Sequence, residues 1–457
     1  MMGWPLPSIS FALVVPLGFG YALIDFLLRR THSTFATKLA LGYLLGTGTL
    51  TFWILLLSIL GLSWNLTSIG LPLLAAAAGI SLFKLKLNTR VPSPLHRQNP
   101  SVVSRKNFNI IDILLLLFIF LQVLYIFWRT LNLPIYSYLA LRITSLKAKV
   151  FFYDGAVILR DEPFFFGYPL LAPLSQTWLA LNLHTWDEQW TKLFFPLFAL
   201  AFFGIFYDFL KQQAGPRQAL IGLFLLLAAP LVSFHATIAY TDLPLMAYTC
   251  SAIILLIVWN DSRDAGWLLA AGLLAGFAAF TKREGLFFLL VHGLLLTRML
   301  HGAGVPAEKK LRSWLTFLLP AITIPAIFWL FLILGANLPT EDTQLQVSLD
   351  LLARPPVILH QFIRELFFSG NWSLIWFFLG CSLWCRREMM RRDPRIKFLG
   401  WALILFFGLY GLIFMTTTAF KWIDASDAVL SRLILHFFPL APLLIILLLQ
   451  PQQDRRL

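Results

Sequence analysis

The chain has 457 residues, of which 59% are hydrophobic and only 13% are Asp, Glu, Lys or Arg. A disordered chain is excluded, because such chains lack apolar residues to bury. A water-soluble multidomain enzyme is disfavoured, since soluble proteins carry about twice this share of charge. The formal net charge is +14. The basic residues form short clusters between long apolar runs, which favours membrane topology over nucleic-acid binding.

Apolar runs near the length of a membrane-spanning helix, about 20 residues, recur along the whole chain. They predict an all-α polytopic membrane protein with about 13 transmembrane helices. The predicted helices lie at about 8–28, 39–62, 66–83, 110–129, 190–210, 219–236, 243–260, 266–281, 284–300, 313–335, 373–385, 397–416 and 432–450.

The lysines and arginines predict how the helices are oriented. If the loops after the odd-numbered helices face the cytoplasm, they hold 24 of the 36 basic residues, as the positive-inside rule requires. This places the N-terminus outside and the C-terminus in the cytoplasm, most simply in a bacterial inner membrane. The predicted organisation is three leading helices with a basic cytoplasmic linker (1–109), followed by a larger transmembrane domain (110–457).

Two long loops, 130–189 and 336–372, fall on the outer side. In the first, the segment 141–155 has apolar residues at helical spacing with Lys147 and Lys149 nearby. This pattern predicts an interfacial helix with its lysines at the level of lipid phosphates. Tyr168 opens a proline-containing segment, 168–183, that is predicted to dip into the interface.

Ionisable residues near membrane depth are expensive and often functional. Asp242 begins a predicted helix, so it is equally consistent with a site residue or a favourable charge at a helix N-terminus. Glu284 follows Lys282 and Arg283 in a tight outer turn, which could bind a phosphate or simply neutralise itself. Arg432 and His436 are four residues apart and share a helix face. They suit a phosphate, although snorkelling towards headgroups explains them equally well.

Six segments, in this order, resemble the bacterial integral-membrane glycosyltransferases of the C-type (GT-C) fold. The similarity is to the Rgt-like and glycosyltransferase family 39 (protein O-mannosyltransferase-like) group, mainly over 130–300 and more weakly over 430–445. The segments are SLKAKVFFYDG, YPLLAPLSQTW, DEQWTKLFFPLF, YTDLPLMAY, AAGLLAGFAAFTKREGL and SRLILHFFPLAPL.

The resemblance implies transfer of a sugar from a polyprenyl-phosphate donor at the outer face of the membrane, usually with inversion. Cations would hold the donor phosphate and stabilise the leaving group, while a carboxylate would deprotonate the acceptor. The residues implied for the phosphate are Lys147, Lys149, Lys282, Arg432 and His436. Asp242 would be a structural acid or lie near a divalent metal, and Glu284 and Tyr168 would belong to the same site.

Two expected carboxylates are absent. Relatives carry their general base where this chain has Leu139, and an Asp where it has Gly167. The candidate replacement bases in the same loop are Asp161, Glu162, Asp154 and Asp187. The favoured hypothesis is therefore a glycosyltransferase with a displaced base, acting on a glycan, lipid or protein acceptor. The alternatives are an inactive relative that binds lipid-linked glycans, or a transporter of lipid-linked sugars.

Overall fold

The computed structural model describes residues 5–31, 33–88, 109–158, 168–302, 306–335, 351, 353–425 and 427–450. Over these residues the chain is built from helices packed around a large apolar core, beside which lies a second, smaller apolar cluster. The α-helices are α1 (Leu6–Leu27), α2 (Phe35–Ile59), α3 (Leu66–Asn88), α4 (Ile110–Asn132), α5 (Leu146–Asp154), α6 (Leu171–Leu183), α7 (Phe194–Ala214), α8 (Pro216–Leu227), α9 (Pro230–Ala236), α10 (Asp242–Ser262), α11 (Ala265–Thr281), α12 (Glu284–Gly302), α13 (Ala307–Gly335), α14 (Arg354–Phe367), α15 (Ile375–Cys385), α16 (Arg387–Arg392), α17 (Pro394–Thr416), α18 (Lys421–Ala425), α19 (Asp427–Leu435) and α20 (Leu440–Leu448).

The predicted number of thirteen spans is not confirmed. Within the described residues, nine helices are long and apolar enough to cross a membrane, or up to eleven if two bent pairs each count as one span. The bent pairs are α8 with α9, at 78°, and α19 with α20, at 53°. The predicted spans 266–281 and 373–385 correspond to the shorter apolar helices α11 and α15. The integral-membrane, all-helical prediction is confirmed.

Polar contacts group the predicted cytoplasmic loops at one end of the bundle, here called the Asp25 end. Asp25 of α1 pairs with Lys38 of α2 and Lys84 of α3. Arg217 lies 3.2 Å from Asp112, and Arg395 lies 3.0 Å from Asp261. Four helices also begin here at residues that accept a backbone N–H, namely Thr34, Asn109, Asp264 and Asp393, as N-cap chemistry favours. Residues of the predicted outer loops meet at the opposite end, the Asp242 end.

The leading helices pack directly into the rest of the protein. The indole of Trp178 in α6 donates to the carbonyl of Ala12 in α1 at 2.8 Å. The hydroxyl of Tyr248 in α10 donates to the carbonyl of Leu44 in α2 at 2.7 Å. Helices α1 and α2 therefore cover faces of α6 and α10 that would otherwise meet lipid.

Helices α1 and α2 approach closely because small residues line their contact. A Cβ atom added to Gly46 would lie 1.8 Å from the carbonyl oxygen of Pro16, and one added to Gly20 would lie 1.9 Å from that of Gly42. Small residues permit such backbone contact between membrane helices, where van der Waals packing drives association.

We expect Gly46→Ala to lower the thermal stability of the detergent-solubilised protein, because the added methyl group overlaps backbone on α1 that cannot rotate away. Overpacking of this kind costs about 1–3 kcal/mol. Gly18→Ala, on α1, is the matched control because nothing lies within 4 Å of its added Cβ. Ala is the better helix former by about 1 kcal/mol, so the control should be unchanged or stabilised. Equal melting temperatures for the two variants would contradict the close approach.

The first long outer loop differs from its prediction in two respects, of which the burial of Lys147 is described below with the site. Helix α6 has 13 residues and is almost wholly buried, so it lies among other helices and does not dip into the interface. The helix predicted at 141–155 is present as a π-helix, Ala140–Ser145, that continues into α5. Of the second outer loop, 336–372, residues 336–350 and 352 lie outside the described residues, and α14 occupies much of the remainder.

Candidate active site at the Asp242 end

Asp242, the first residue of α10, is fully buried at the centre of a charged cluster. Its Oδ1 accepts from Lys282 Nζ and from His436 Nε2, each at 2.9 Å. Its Oδ2 accepts from Arg432 Nε at 3.2 Å and lies 3.2 Å from Arg432 Nη2. Unlike Asp264 and Asp393 at the Asp25 end, Asp242 makes no cap to its own helix. Its carboxylate oxygens accept from Lys282, Arg432 and His436, so Asp242 anchors these three side chains.

The turn between α11 and α12 directs Lys282 towards Asp242. The chain reverses within Lys282 and Arg283, and Gly285 then passes so close to α11 that an added Cβ would lie 2.2 Å from the carbonyl of Ala278. Lys282 also pairs with Glu284, the first residue of α12, at 2.7 Å. One buried ammonium thus bridges two carboxylates.

His436 follows α19, at the 53° bend before α20. Because its Nε2 must donate to the Asp242 carboxylate, its Nδ1 is an acceptor in the neutral ring. The hydroxyl of Tyr410 in α17 lies 2.6 Å from this Nδ1, so it donates there. The ordered series Tyr410, His436 and Asp242 fixes the end of α17 to the start of α10.

Tyr240 lies beside Arg432 and links the cluster to the first outer loop. The guanidinium of Arg432 lies 5.0 Å from the centre of the Tyr240 ring, within the range of a cation–π contact. The Tyr240 hydroxyl is hydrogen-bonded to Ser137. His235 of α9 lies on the same side, with Nδ1 4.0 Å from Asp242 Oδ2.

Lys147 is a further cation at this end, and no carboxylate within the described ranges pairs with it. Its side chain is fully buried and, among the described residues, its Nζ has no hydrogen-bond partner. The ammonium lies 5.5 Å from the centre of the Tyr168 ring, and the Arg283 guanidinium lies 5.1 Å from the same ring. Burial, with a smaller contribution from Arg283, lowers the pKa of Lys147 to about 7. Contrary to the prediction of an interfacial lysine, this one faces the protein.

Two further cations lie at this end, beside the pairs that Asp242 and Glu284 make with Lys282 and Arg432. Lys147 and Arg283 both face the ring of Tyr168. A buried ammonium without a partner costs free energy in the ligand-free protein. An oxyanion placed against Lys147 would offset that cost, as charge-assisted hydrogen bonds do.

The other predicted candidates lie apart from this cluster. Lys149 is exposed, two positions after Lys147 and therefore on another face of α5. Asp154 is exposed at the end of the same helix. Asp187 accepts the backbone N–H groups of Gln189 and Trp190 at 2.8 and 2.9 Å, which is a capping role. Asp161, Glu162 and Gly167 lie outside the described residues.

Leu139, where the base of relatives is expected, immediately precedes the π-helix and is half-buried. The described ranges contain no group of three or more His, Cys, Asp or Glu side chains that could hold a metal ion. The oxygens of Asp242, which was the predicted metal-proximal acid, are instead engaged by Lys282, Arg432 and His436.

The membrane-length helices identify an integral membrane protein, and the similarity to solved structures reported below shows the GT-C fold. The sequence profile of the family described as "Dolichyl-phosphate-mannose-protein mannosyltransferase" matches residues 169–331, from the start of α6 into α13. The predicted resemblance to GT-C glycosyltransferases is confirmed by this match and by the fold.

Two solved structures of ArnT from Cupriavidus metallidurans share the fold, one apo and one bound to undecaprenyl phosphate. Each is 18% identical, with a TM-score of 0.51. Each alignment covers 74% of this chain and 60% of ArnT, so the chain matches less than two thirds of that protein. No curated protein matches the chain.

Proposed function

We infer that the protein is a membrane glycosyltransferase that moves a sugar from a polyprenyl-phosphate-linked donor to an acceptor at the outer, periplasmic face. The observation that carries this proposal is the buried ammonium of Lys147 at the Asp242 end, which lies with Arg283 beside Tyr168 and has no hydrogen-bond partner in the part of the chain that the structure describes. The profile match to a mannosyltransferase family and the ArnT fold support it.

Lys147 and Arg283 receive the donor phosphate in this proposal. As the bond between the anomeric carbon and the phosphate oxygen breaks, both electrons go to that oxygen and the leaving polyprenyl phosphate gains charge. Fixed cations in a water-poor site stabilise such charge without reorganising. Arg432 adds to this field from a side chain that is 20% exposed and anchored to Asp242. Lys282 and His436 fix the position of Asp242 through hydrogen bonds to its carboxylate.

The acceptor hydroxyl attacks the anomeric carbon from the opposite face, which inverts its configuration, and gives its proton to a base. Asp242 and Glu284 are both engaged by cations, and Asp187 caps a turn. Asp161 and Glu162 are the proposed bases, since they precede Tyr168 in the same loop by only a few residues.

The test is transfer of labelled sugar from polyprenyl-phosphate donors in membranes that contain wild type or single variants. We expect Asp161→Asn or Glu162→Gln to slow turnover by about 10²–10⁴-fold, the usual contribution of general-base catalysis. Asp187→Asn is the matched control, because Asn caps as well as Asp. Asp154→Asn should also retain activity. Full activity in all four variants would show that the displaced-base proposal is wrong.

The second candidate function is that of a non-catalytic relative that binds lipid-linked glycans. Leu139 favours it, because a leucine at the expected base position cannot accept a proton. Binding of undecaprenyl phosphate that depends on Lys147, together with no turnover on any donor, would establish this reading. Any Lys147-dependent turnover would exclude it.

A further inference from the structure

A groove lies between α4, α8 and α9, on the other side of α9 from Asp242. Its volume is about 460 Å³, within the range of ligand sites. Four of its nine lining residues are aromatic, namely Phe118, Tyr125, Phe224 and Phe234. Two adjacent residues of α9 point to opposite sides of the helix. Phe234 lines the groove, and His235 lies 4.0 Å from Asp242.

The groove lies at hydrocarbon depth. With a rise of about 1.5 Å per residue, Phe118 and Tyr125 lie about 21 and 10 Å from the end of α4 at Asn132. Only 11% of the apolar window of α4 is buried, so this helix faces lipid. The polar groups at the base of the groove satisfy each other, since Ser233 donates to Gln122 at 3.1 Å. The cavity therefore suits a hydrocarbon chain.

Arg129 lies at the rim of the groove, about one helical turn above Tyr125. Its guanidinium donates to the hydroxyl oxygens of Tyr125 and Tyr136, at 2.8 and 2.7 Å, and lies 5.7 Å from the centre of the Phe234 ring. Because both phenol oxygens accept from Arg129, their own hydrogens remain available to donate. Within the described part of the chain, Arg129 Nε has no partner. One cation and two hydroxyl donors thus converge where a phosphate would sit.

We propose that this groove is a binding site for a membrane phospholipid with an anionic headgroup, its acyl chain lying along Phe118 and Phe234 and its phosphate bound by Arg129, Tyr125 and Tyr136. Different helices build the two lipid sites, because Lys147 lies on α5, which packs against α6, whereas α4 packs against α7, α8 and α9. The proposal does not depend on glycosyl transfer, so its test is independent of the test of the proposed function.

The test is a binding titration of the full chain in detergent, followed by native mass spectrometry, with phosphatidylglycerol and with phosphatidylcholine as probes. We expect tighter binding of phosphatidylglycerol and a loss of about tenfold in Arg129→Gln, the size expected for one charge-assisted hydrogen bond. Arg142→Gln is the matched control, since Arg142 also donates to a tyrosine four residues earlier, Tyr138. It should bind like wild type.

A second variant, Ala228→Phe, places a ring in the groove and should abolish binding of both phospholipids while Arg129 is intact. Melting temperatures of all variants show whether they are folded. Three results would overturn the proposal: equal binding of both phospholipids in wild type and Arg129→Gln, equally tight binding of glycerol 3-phosphate alone, or displacement of phosphatidylglycerol by undecaprenyl phosphate in a Lys147-dependent manner. The last would assign the groove to the donor.

Discussion

Replacing Asp242 by Ala is expected to destabilise the protein by about 3–5 kcal/mol, because it leaves Lys282 and Arg432 buried or half-buried around an empty centre. The same change removes the acceptor of the His436 Nε2 hydrogen bond, so the contact between His436 and Tyr410 is no longer held in place. We expect a lower melting temperature in detergent, a reduced yield of monodisperse protein, and loss of sugar transfer.

Glu284→Gln is the control for this variant. Among the ion pairs of the cluster, Glu284 takes part in the one with Lys282, and 21% of its side chain is exposed. Replacing its carboxylate should therefore lower the free energy of unfolding by about 1 kcal/mol or less. The double variant Asp242→Ala with Arg432→Leu should recover part of the stability, since residues in one ion network are coupled. If Asp242→Ala were as stable as Glu284→Gln, Asp242 would not be the anchor.

Lys147→Met is expected to change stability and binding in opposite directions. In the ligand-free protein it replaces a buried ammonium, which has no partner among the described residues, with an apolar chain, so the variant should be more stable. Binding of undecaprenyl phosphate should nevertheless be lost, because the phosphate would have no counter-charge from α5. Lys149→Met, on the exposed face of the same helix, should leave both quantities unchanged. A lower melting temperature for Lys147→Met would show that its ammonium has a partner.

The pKa of Lys147, lowered to about 7, gives this site a pH dependence. Between about pH 7 and 10.5 the unfolded chain holds the proton and the folded chain does not, so stability rises with pH. The affinity for a phosphate falls as the pH rises, because above about pH 7 Lys147 must take up a proton when the phosphate binds. From about pH 7.5 to 9.5 a phosphate monoester is already doubly charged, so affinity should fall by up to about tenfold per unit. Lys147→Arg should show little dependence.

Residues with a distinctive local signal could be predicted from the sequence. Asp242, Lys282, Arg432 and His436 are ionisable residues within apolar surroundings, and the structure brings all four together. Tyr410 and Tyr240 carried no signal, because an aromatic residue in an apolar helix is indistinguishable from a core residue. Their roles depend on helices distant in sequence.

The span count and the burial of Lys147 could not be predicted for a related reason. Hydropathy measures the length of an apolar run, yet it does not show that 219–236 bends by 78° between α8 and α9, or that α6 is enclosed by α1 and α2. The local pattern around Lys147 is amphipathic enough to suggest a lipid surface. Its buried position results from Tyr168 and Arg283, which follow 21 and 136 residues later.

The central cluster also has an order of assembly. Lys282 follows Asp242 by 40 residues, whereas Arg432 and His436 follow it by 190 and 194. Glu284 and Arg432 are 148 residues apart, so at about 5–20 residues per second the interval between them takes roughly 7 to 30 s. Throughout it, one lysine serves two carboxylates, and the nascent cluster carries a net charge of −1. Arrival of α19 supplies the missing positive charge, so insertion of the final helices completes the site.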